Sequence, residues 1–282
     1  MLEISNISAL REQIKQWKQQ GLTIGLVPTM GNLHRGHVEL VSAAKQRADK
    51  VVVSIFVNPI QFDKKADLQD YPHTLTEDNK KLKAVSCDLV FTPSVIDIYP
   101  NGEKTTRVEV PMLGKVLEGK SRNGHFSGVS TIVNKLFNMV MPDISIFGQK
   151  DFQQLILIQK MVADLNMPIE VVGYPTVREF DGLAMSSRNS YLTKSERNIA
   201  PLFNQQLQRL VLAVKKGDRD FQAIQQSVAN ALNNVGFKAD YIEIRRAHDL
   251  QLASNEDIDL VVVAAVWLGK ARLLDNIRFE LL

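Results

Sequence analysis

A single cysteine, Cys87, stands among 282 residues. One thiol excludes an internal disulfide and any metal site built from several cysteines. Its context, Cys87-Asp88-Leu89-Val90-Phe91, reads as a short buried strand and predicts a packed, inert thiol. Excess charge is also missing. Lys and Arg number 34 against 31 Asp and Glu, a net charge of +3, so no broad basic face for nucleic acid is expected. The longest apolar run, Leu260 to Leu268, is far short of the roughly 20 residues of a membrane span. The opening Met1-Leu2-Glu3-Ile4-Ser5 has no basic n-region or apolar h-region, so no secretory signal is expected. Internal repeats and low-complexity segments are lacking too. A cytoplasmic protein without a membrane or nucleic-acid partner is the expectation.

What the chain does have is the composition of a globular protein, 45% hydrophobic and 23% charged, long enough for two domains. The first two thirds alternate β-branched runs with helical patterns. Strands are predicted at 23–27, 51–57, 88–91, 144–147 and 169–172, with helices at 38–48, 74–85, 129–140 and 151–165 between them. Continuous apolar strands separated by helices predict a doubly wound, parallel α/β sheet of Rossmann-like class. Beyond about residue 185 the pattern becomes two long helices, 195–216 and 220–235. Strands at 241–246, 260–267 and 272–277 follow, as in a smaller α+β domain. The expected division is 1–184 and 185–282, with Gly182 in the link.

The segment most informative about chemistry is Val27-Pro28-Thr29-Met30-Gly31-Asn32-Leu33-His34-Arg35-Gly36-His37, between the first of these strands and its helix. Ligands of open parallel sheets bind beyond the carboxyl ends of the strands. A helix N-terminus there offers free N–H groups to a phosphate. Gly31 and Gly36 let the backbone come close, and His34 and His37 can share one face and donate to oxygen. Two plain surface histidines are the bland reading. A metal pair fits poorly, because metalloprotease helices space their histidines four apart around a glutamate.

Two further segments suit a nucleotide. Phe147-Gly148-Gln149-Lys150-Asp151-Phe152-Gln153-Gln154 again joins a strand to a helix. Lys150 is a point charge for phosphate, and Asp151 reads either as a helix cap or as an acceptor for ribose hydroxyls. Met185-Ser186-Ser187-Arg188 reads either as a polar interdomain loop or as donors for a triphosphate, with Arg as a bidentate fork.

The His34–His37 stretch resembles the His-x-Gly-His motif of the nucleotidyltransferase superfamily, and residues 185–188 are similar to its mobile Lys-Met-Ser-Lys-Ser-type loop. Three more segments narrow the resemblance: Ser54 to Phe62 with Asn58-Pro59-Ile60-Gln61, Gly119 to Val129 with Arg122 and His125, and Asp181 to Asn189. Together, over about residues 23–193, they resemble the pantothenate synthetase (pantoate–β-alanine ligase) family, with weaker similarity over 264–272. The resemblance departs at Gln149, where the family often has Glu, and at His73, where it often has Arg.

The resemblance implies ATP-dependent joining of pantoate to β-alanine through a pantoyl adenylate, in a homodimer that uses Mg²⁺. It places Met30, Gly31, Asn32, Leu33, His34, Arg35, Gly36, His37, Gly148, Gln149, Lys150, Asp151, Val177, Met185, Ser186, Ser187 and Arg188 around ATP. His37 is the implied catalytic residue, and the C-terminal domain closes over the ATP site. Gln61 and Gln154 hold pantoate, with Pro28, Met30 and Phe62 against its methyl groups; Gln61 and Asn58 serve β-alanine. No magnesium ligand is assigned, although Glu77 and Asp78 lie nearby. Two other readings stay open: an adenylyltransferase acting on a phosphorylated cofactor precursor, and a regulatory nucleotide-binding module. The neutral Gln61 and Gln154 argue against the first, and the retained His37, Lys150 and Arg188 against the second.

Overall fold

Two compact units make up the computed structural model, which describes residues 1–63 and 65–281. One comprises Met1–Gln149 and Gln153–Pro175; the other comprises Lys150–Phe152 and Thr176–Leu282. The second unit thus takes up the chain at Thr176, earlier than the expected 185.

In the first unit the strands are β1 (Leu2–Ile4), β2 (Ile24–Thr29), β3 (Lys50–Ile55), β4 (Leu89–Phe91), β5 (Ile144–Gly148) and β6 (Glu170–Tyr174). They form one sheet in the order β1-β4-β3-β2-β5-β6, parallel throughout. The helices are α1 (Ile7–Gln19), α2 (Arg35–Lys45), α3 (Lys65–Gln69), α4 (Leu75–Ala84), α5 (Val95–Ile98), α6 (Glu118–Ser121), α7 (His125–Val140) and α8 (Phe152–Asp164). Alternation along the strands sends Val27, Val51, Val53, Ile144 and Ile146 to one face, under Leu40, Val41 and Ala44 of α2 and Leu82 of α4. The intervening Ile24, Leu26 and Val52 are just as buried. Both faces are therefore covered, as the continuous apolar strands predict.

Several elements differ from the sequence expectation here, the short helices α3, α5 and α6 among them. β1 and α1 were not predicted. β1 is a three-residue edge strand, too short for a periodicity signal, and α1 buries Leu10, Ile14 and Trp17 at helical spacing. Helix α2 begins at Arg35 rather than Val38, and α7 at His125 rather than Val129.

The second unit holds α9 (Lys194–Ile199), α10 (Leu202–Lys215) and α11 (Phe221–Asn233), then β7 (Phe237–Arg246), β8 (Asp259–Leu268) and β9 (Ala271–Glu280). The strands form an antiparallel sheet in the order β7-β8-β9. Phe203, Leu207 and Val214 of α10 and Ile224, Val228 and Leu232 of α11 cover Ile242, Ile244, Val262 and Val266. The expected single helix over 195–216 is broken in two. Pro201 stands at the N-cap of α10, where a residue without an N–H ends the preceding helix.

Candidate active site

The sheet opens where its strand order reverses. From β2 the chain winds to β3 on one side; from β5 it winds to β6 on the other. The β2–β5 ladder is limited to Gly25↔Ile144 and Leu26↔Ser145, whereas β2 stays paired with β3 to Thr29↔Ile55 and β5 with β6 to Gly148↔Tyr174. Beyond Leu26 the two central strands part. Pro28, which has no N–H, sits where β2 has lost its β5 partner, so it is tolerated in a central strand. A parting of strands at a topological switch point is the position that ligands of this fold class favour.

The loop leaving β2 turns on Gly31 (φ +82°) and Asn32 (φ +50°). A Cβ on Gly31 would come within 3.0 Å of the Ile55 side chain. His34 then caps α2 with its ring: Nδ1 accepts from the Gly36 N–H at 3.1 Å. His37, in the first turn, returns the favour, its Nδ1 accepting from the His34 N–H at 3.3 Å. This is a capping box built from two histidines in place of the usual Ser/Thr and Glu. The ring centroids lie 4.1 Å apart. A ring nitrogen that accepts carries no proton, so each imidazole keeps its N–H at Nε2. Gly36, expected in the loop, is in the helix, and its N–H serves the cap.

The loop is pinned from outside by a residue with no role in the sequence expectation beyond a nearby acid. Asp78 of α4 is fully buried. Its carboxylate accepts from the N–H groups of Asn32 at 2.9 Å and Leu33 at 2.8 Å, and from the Thr74 hydroxyl at 3.0 Å. Lys81, one turn on, donates to the Leu33 carbonyl at 2.5 Å. Nothing local in the sequence signals a clamp between segments this far apart.

Beside this loop lies a buried amide network. Asn58, after β3, donates to Gln61 Oε1 at 2.9 Å and to the Gly128 carbonyl at 3.1 Å. Gln61 Nε2 reaches Met30 Sδ at 3.2 Å, which joins the Gln61 turn to the loop of the two histidines. Gly128 of α7 has to be glycine, because a Cβ there would stand 2.6 Å from the Ile60 carbonyl. His125, at the start of α7, uses both ring nitrogens: Nδ1 is 2.9 Å from the Gln61 carbonyl and Nε2 is 3.0 Å from Arg122 Nη1. A carbonyl only accepts and a guanidinium only donates, so the His125 proton is on Nδ1. Phe62 packs edge-on against Tyr71.

Past β5, Gln149 lays its amide along β6, donating to the Gly173 carbonyl at 3.4 Å. Gln154 of α8 is half-buried. Its neighbour Gln153 is fully engaged in structure, holding the Leu113, Val116 and Glu118 backbone groups.

In the second unit, Lys150 lies 3.8 Å from the exposed Asp151, and its carbonyl accepts from Asn276 at 2.8 Å. Val177 and Met185 are brought together across a short hairpin, the Met185 N–H donating to the Val177 carbonyl at 2.9 Å. Gly182 turns this hairpin with φ +92°. Its base is held by Arg178, which forks onto the buried Asp275 at 2.8 and 2.9 Å and also binds the Gly182 carbonyl at 3.0 Å. Asn204 donates to the same carboxylate at 2.9 Å. Ser186 Oγ then accepts from the Arg188 N–H at 3.2 Å and opens a 3₁₀ turn over Ser187–Tyr191, with Arg188 exposed.

Among the described residues, no three His, Cys, Asp or Glu side chains gather as a metal-binding group. Asp78 is saturated by amides and a hydroxyl, and Glu77 is a solvated partner of Lys80 at 3.4 Å. Neither is part of a preformed cation cage.

Comparison with known proteins agrees with this architecture. A family model described as pantoate-beta-alanine ligase matches residues 3–278. A pantothenate synthetase of Aeromonas hydrophila subsp. hydrophila is 52% identical over 277 residues, 98% of this chain and 97% of the relative. Among solved structures, a pantothenate synthetase of Thermus thermophilus is 40% identical with a TM-score of 0.91, covering 98% of this chain and 99% of that one. A Francisella tularensis pantoate-beta-alanine ligase, solved with Beta-gamma ATP and beta-alanine, is 36% identical with a TM-score of 0.83, covering 99% and 97%. The chain belongs to the pantoate–β-alanine ligase family.

Proposed function

We propose that this protein joins pantoate to β-alanine at the expense of ATP, giving pantothenate, AMP and pyrophosphate. The observation that carries the reading is the Gln61–Met30 contact. It sets the buried, uncharged amides of Gln61 and Asn58 against the loop that carries His34 and His37 and leaves β2 beyond its last pairing with β5. An anionic phosphate chain and a small hydroxy acid are what these two surfaces suit. A phosphorylated acceptor would need a second cationic pocket, and Gln61 and Asn58 do not supply one.

A free carboxylate is a poor acyl donor. One pantoate oxygen attacks the α-phosphorus of ATP, and pyrophosphate leaves. The amine of β-alanine then attacks the acyl carbon, loses a proton, and AMP leaves. No protein nucleophile is needed, so the protein's work is positioning and charge stabilisation. His34 and His37 donate Nε2–H to phosphate oxygens, and His37 is the group on which turnover depends. The remaining loop residues 30–36, with Gly148 to Asp151, Val177 and Met185 to Arg188, serve the nucleotide, Lys150 and Arg188 supplying positive charge. Gln61 and Gln154 hold pantoate, and Gln61 with Asn58 serves β-alanine.

Mg²⁺ enters with ATP as part of the substrate. Phosphate oxygens and water supply most ligands of such an ion. The ligand complex of the Francisella relative supports ATP and β-alanine as substrates. We also read the protein as a cytoplasmic homodimer, a state that sedimentation of the purified chain checks. Pyrophosphate release that depends on pantoate, and not on a phosphorylated acceptor, tests the assignment.

A further inference from the structure

One buried phenol beside the proposed pantoate pocket has no role in the scheme above. Tyr99, at the end of α5, is 2% exposed. Its hydroxyl donates to Asn58 Oδ1 at 2.8 Å. Its ring lies against Phe56, with centroids 6.1 Å apart, and carries Lys135 over its face at 5.5 Å. The backbone is fixed as well, the Tyr99 N–H donating to the Val95 carbonyl at 2.8 Å.

The hydrogen bonds run in one direction. Asn58 stands between one donor, the Tyr99 hydroxyl, and two acceptors, Gln61 Oε1 and the Gly128 carbonyl. Only one of its two amide orientations satisfies all three. With that orientation set, Gln61 Oε1 is already occupied, and Gln61 presents its NH₂ group. The acceptor this group meets within the protein, Met30 Sδ, is a weak one, so a ligand oxygen displaces it at little cost.

We infer that Tyr99 is a positioning residue for pantoate: acting through Asn58, it holds Gln61 with its N–H groups toward the substrate oxygens. The inference rests on the assignment of Gln61 to pantoate. Burial also pushes the phenol's pKa well above its ordinary range, so the hydroxyl stays a donor at any working pH.

The test is a double-mutant cycle of Tyr99→Phe and Gln61→Ala, read as KM for pantoate, KM for ATP, kcat and melting temperature. Tyr99→Phe keeps the ring and removes one hydrogen bond. It should raise the pantoate KM about tenfold and leave the ATP KM unchanged. In the Gln61→Ala background the same change should add nothing. Asn58→Asp keeps an acceptor for Tyr99 and loses the donor to Gln61, so it should reproduce the pantoate defect with the phenol in place. A Tyr99→Phe effect of equal size in both backgrounds, or an unchanged pantoate KM in Tyr99→Phe while Gln61→Ala raises it, would overturn the positioning role. An unchanged pantoate KM in Gln61→Ala itself would overturn the assignment of Gln61 and the inference with it.

Discussion

His34 and His37 cap one helix together: the Nδ1 of His34 takes the Gly36 N–H at 3.1 Å, and the Nδ1 of His37 takes the His34 N–H at 3.3 Å. The cap decides which nitrogen of each ring carries hydrogen, and so makes both imidazoles donors at Nε2. One pair of interactions therefore starts the helix and sets the tautomer of the two rings proposed above as phosphate donors.

His37→Ala should lower turnover by about 10²–10³, the usual cost of removing a preorganised donor to transition-state charge. It should also cost about 1 kcal/mol of stability through the lost cap. His37→Gln separates the two effects. Glutamine is an ordinary capping-box residue at this position and retains an N–H donor, so it should restore the melting temperature and part of the activity. A folded His37→Ala variant with near-normal adenylation would remove His37 from the mechanism.

Asp78→Ala should destabilise the first unit by about 2–4 kcal/mol, because it leaves the buried N–H groups of Asn32 and Leu33 without their acceptor. The loop is also the entry to α2, so the KM for ATP should rise in the same variant. Thermal melts and ATP saturation curves check the two effects. Loss of stability with an unaltered KM would show that the clamp is structural only.

Ser187→Ala and Arg188→Ala should slow adenylation much more than amide formation, since only the first step develops charge on departing pyrophosphate. Supplying preformed pantoyl adenylate bypasses the first step. Equal defects with and without it would contradict the assignment of this loop to the phosphates.

Cys87 should be silent. It is 3% exposed, and burial pushes its thiol up to about 11, so at pH 8 little of the reactive thiolate is present. A thiol reagent at that pH should label the native protein only on unfolding, and Cys87→Ala should keep full turnover. Fast labelling with loss of activity would refute this.

The strand–loop–helix around residues 24–45 was legible because its signals are local: an apolar strand, glycines, then an amphipathic helix. The helix start was missed because a histidine ring caps it, where Ser, Thr, Asp or Asn is the usual mark. The break at Pro201 could have been read from the proline alone, and α1 from the spacing of Leu10, Ile14 and Trp17. Asp78 and Tyr99 could not be read this way. Asp78 reaches its loop across 46 residues of sequence, Tyr99 reaches Asn58 across 41, and no local pattern records which loop a distant helix will face. Gln61, in a short turn after β3, and His125, at the start of α7, carry no local mark of a shared network; that network depends on the tight seating of Gly128 on the Ile60–Gln61 turn.

The central claim is a reversible adenylation of pantoate that precedes amide formation, and exchange of labelled pyrophosphate into ATP tests it most directly. With ATP, Mg²⁺ and pantoate, and no β-alanine, label should enter ATP, and omission of pantoate should abolish the exchange. Exchange that strictly required β-alanine would contradict the account.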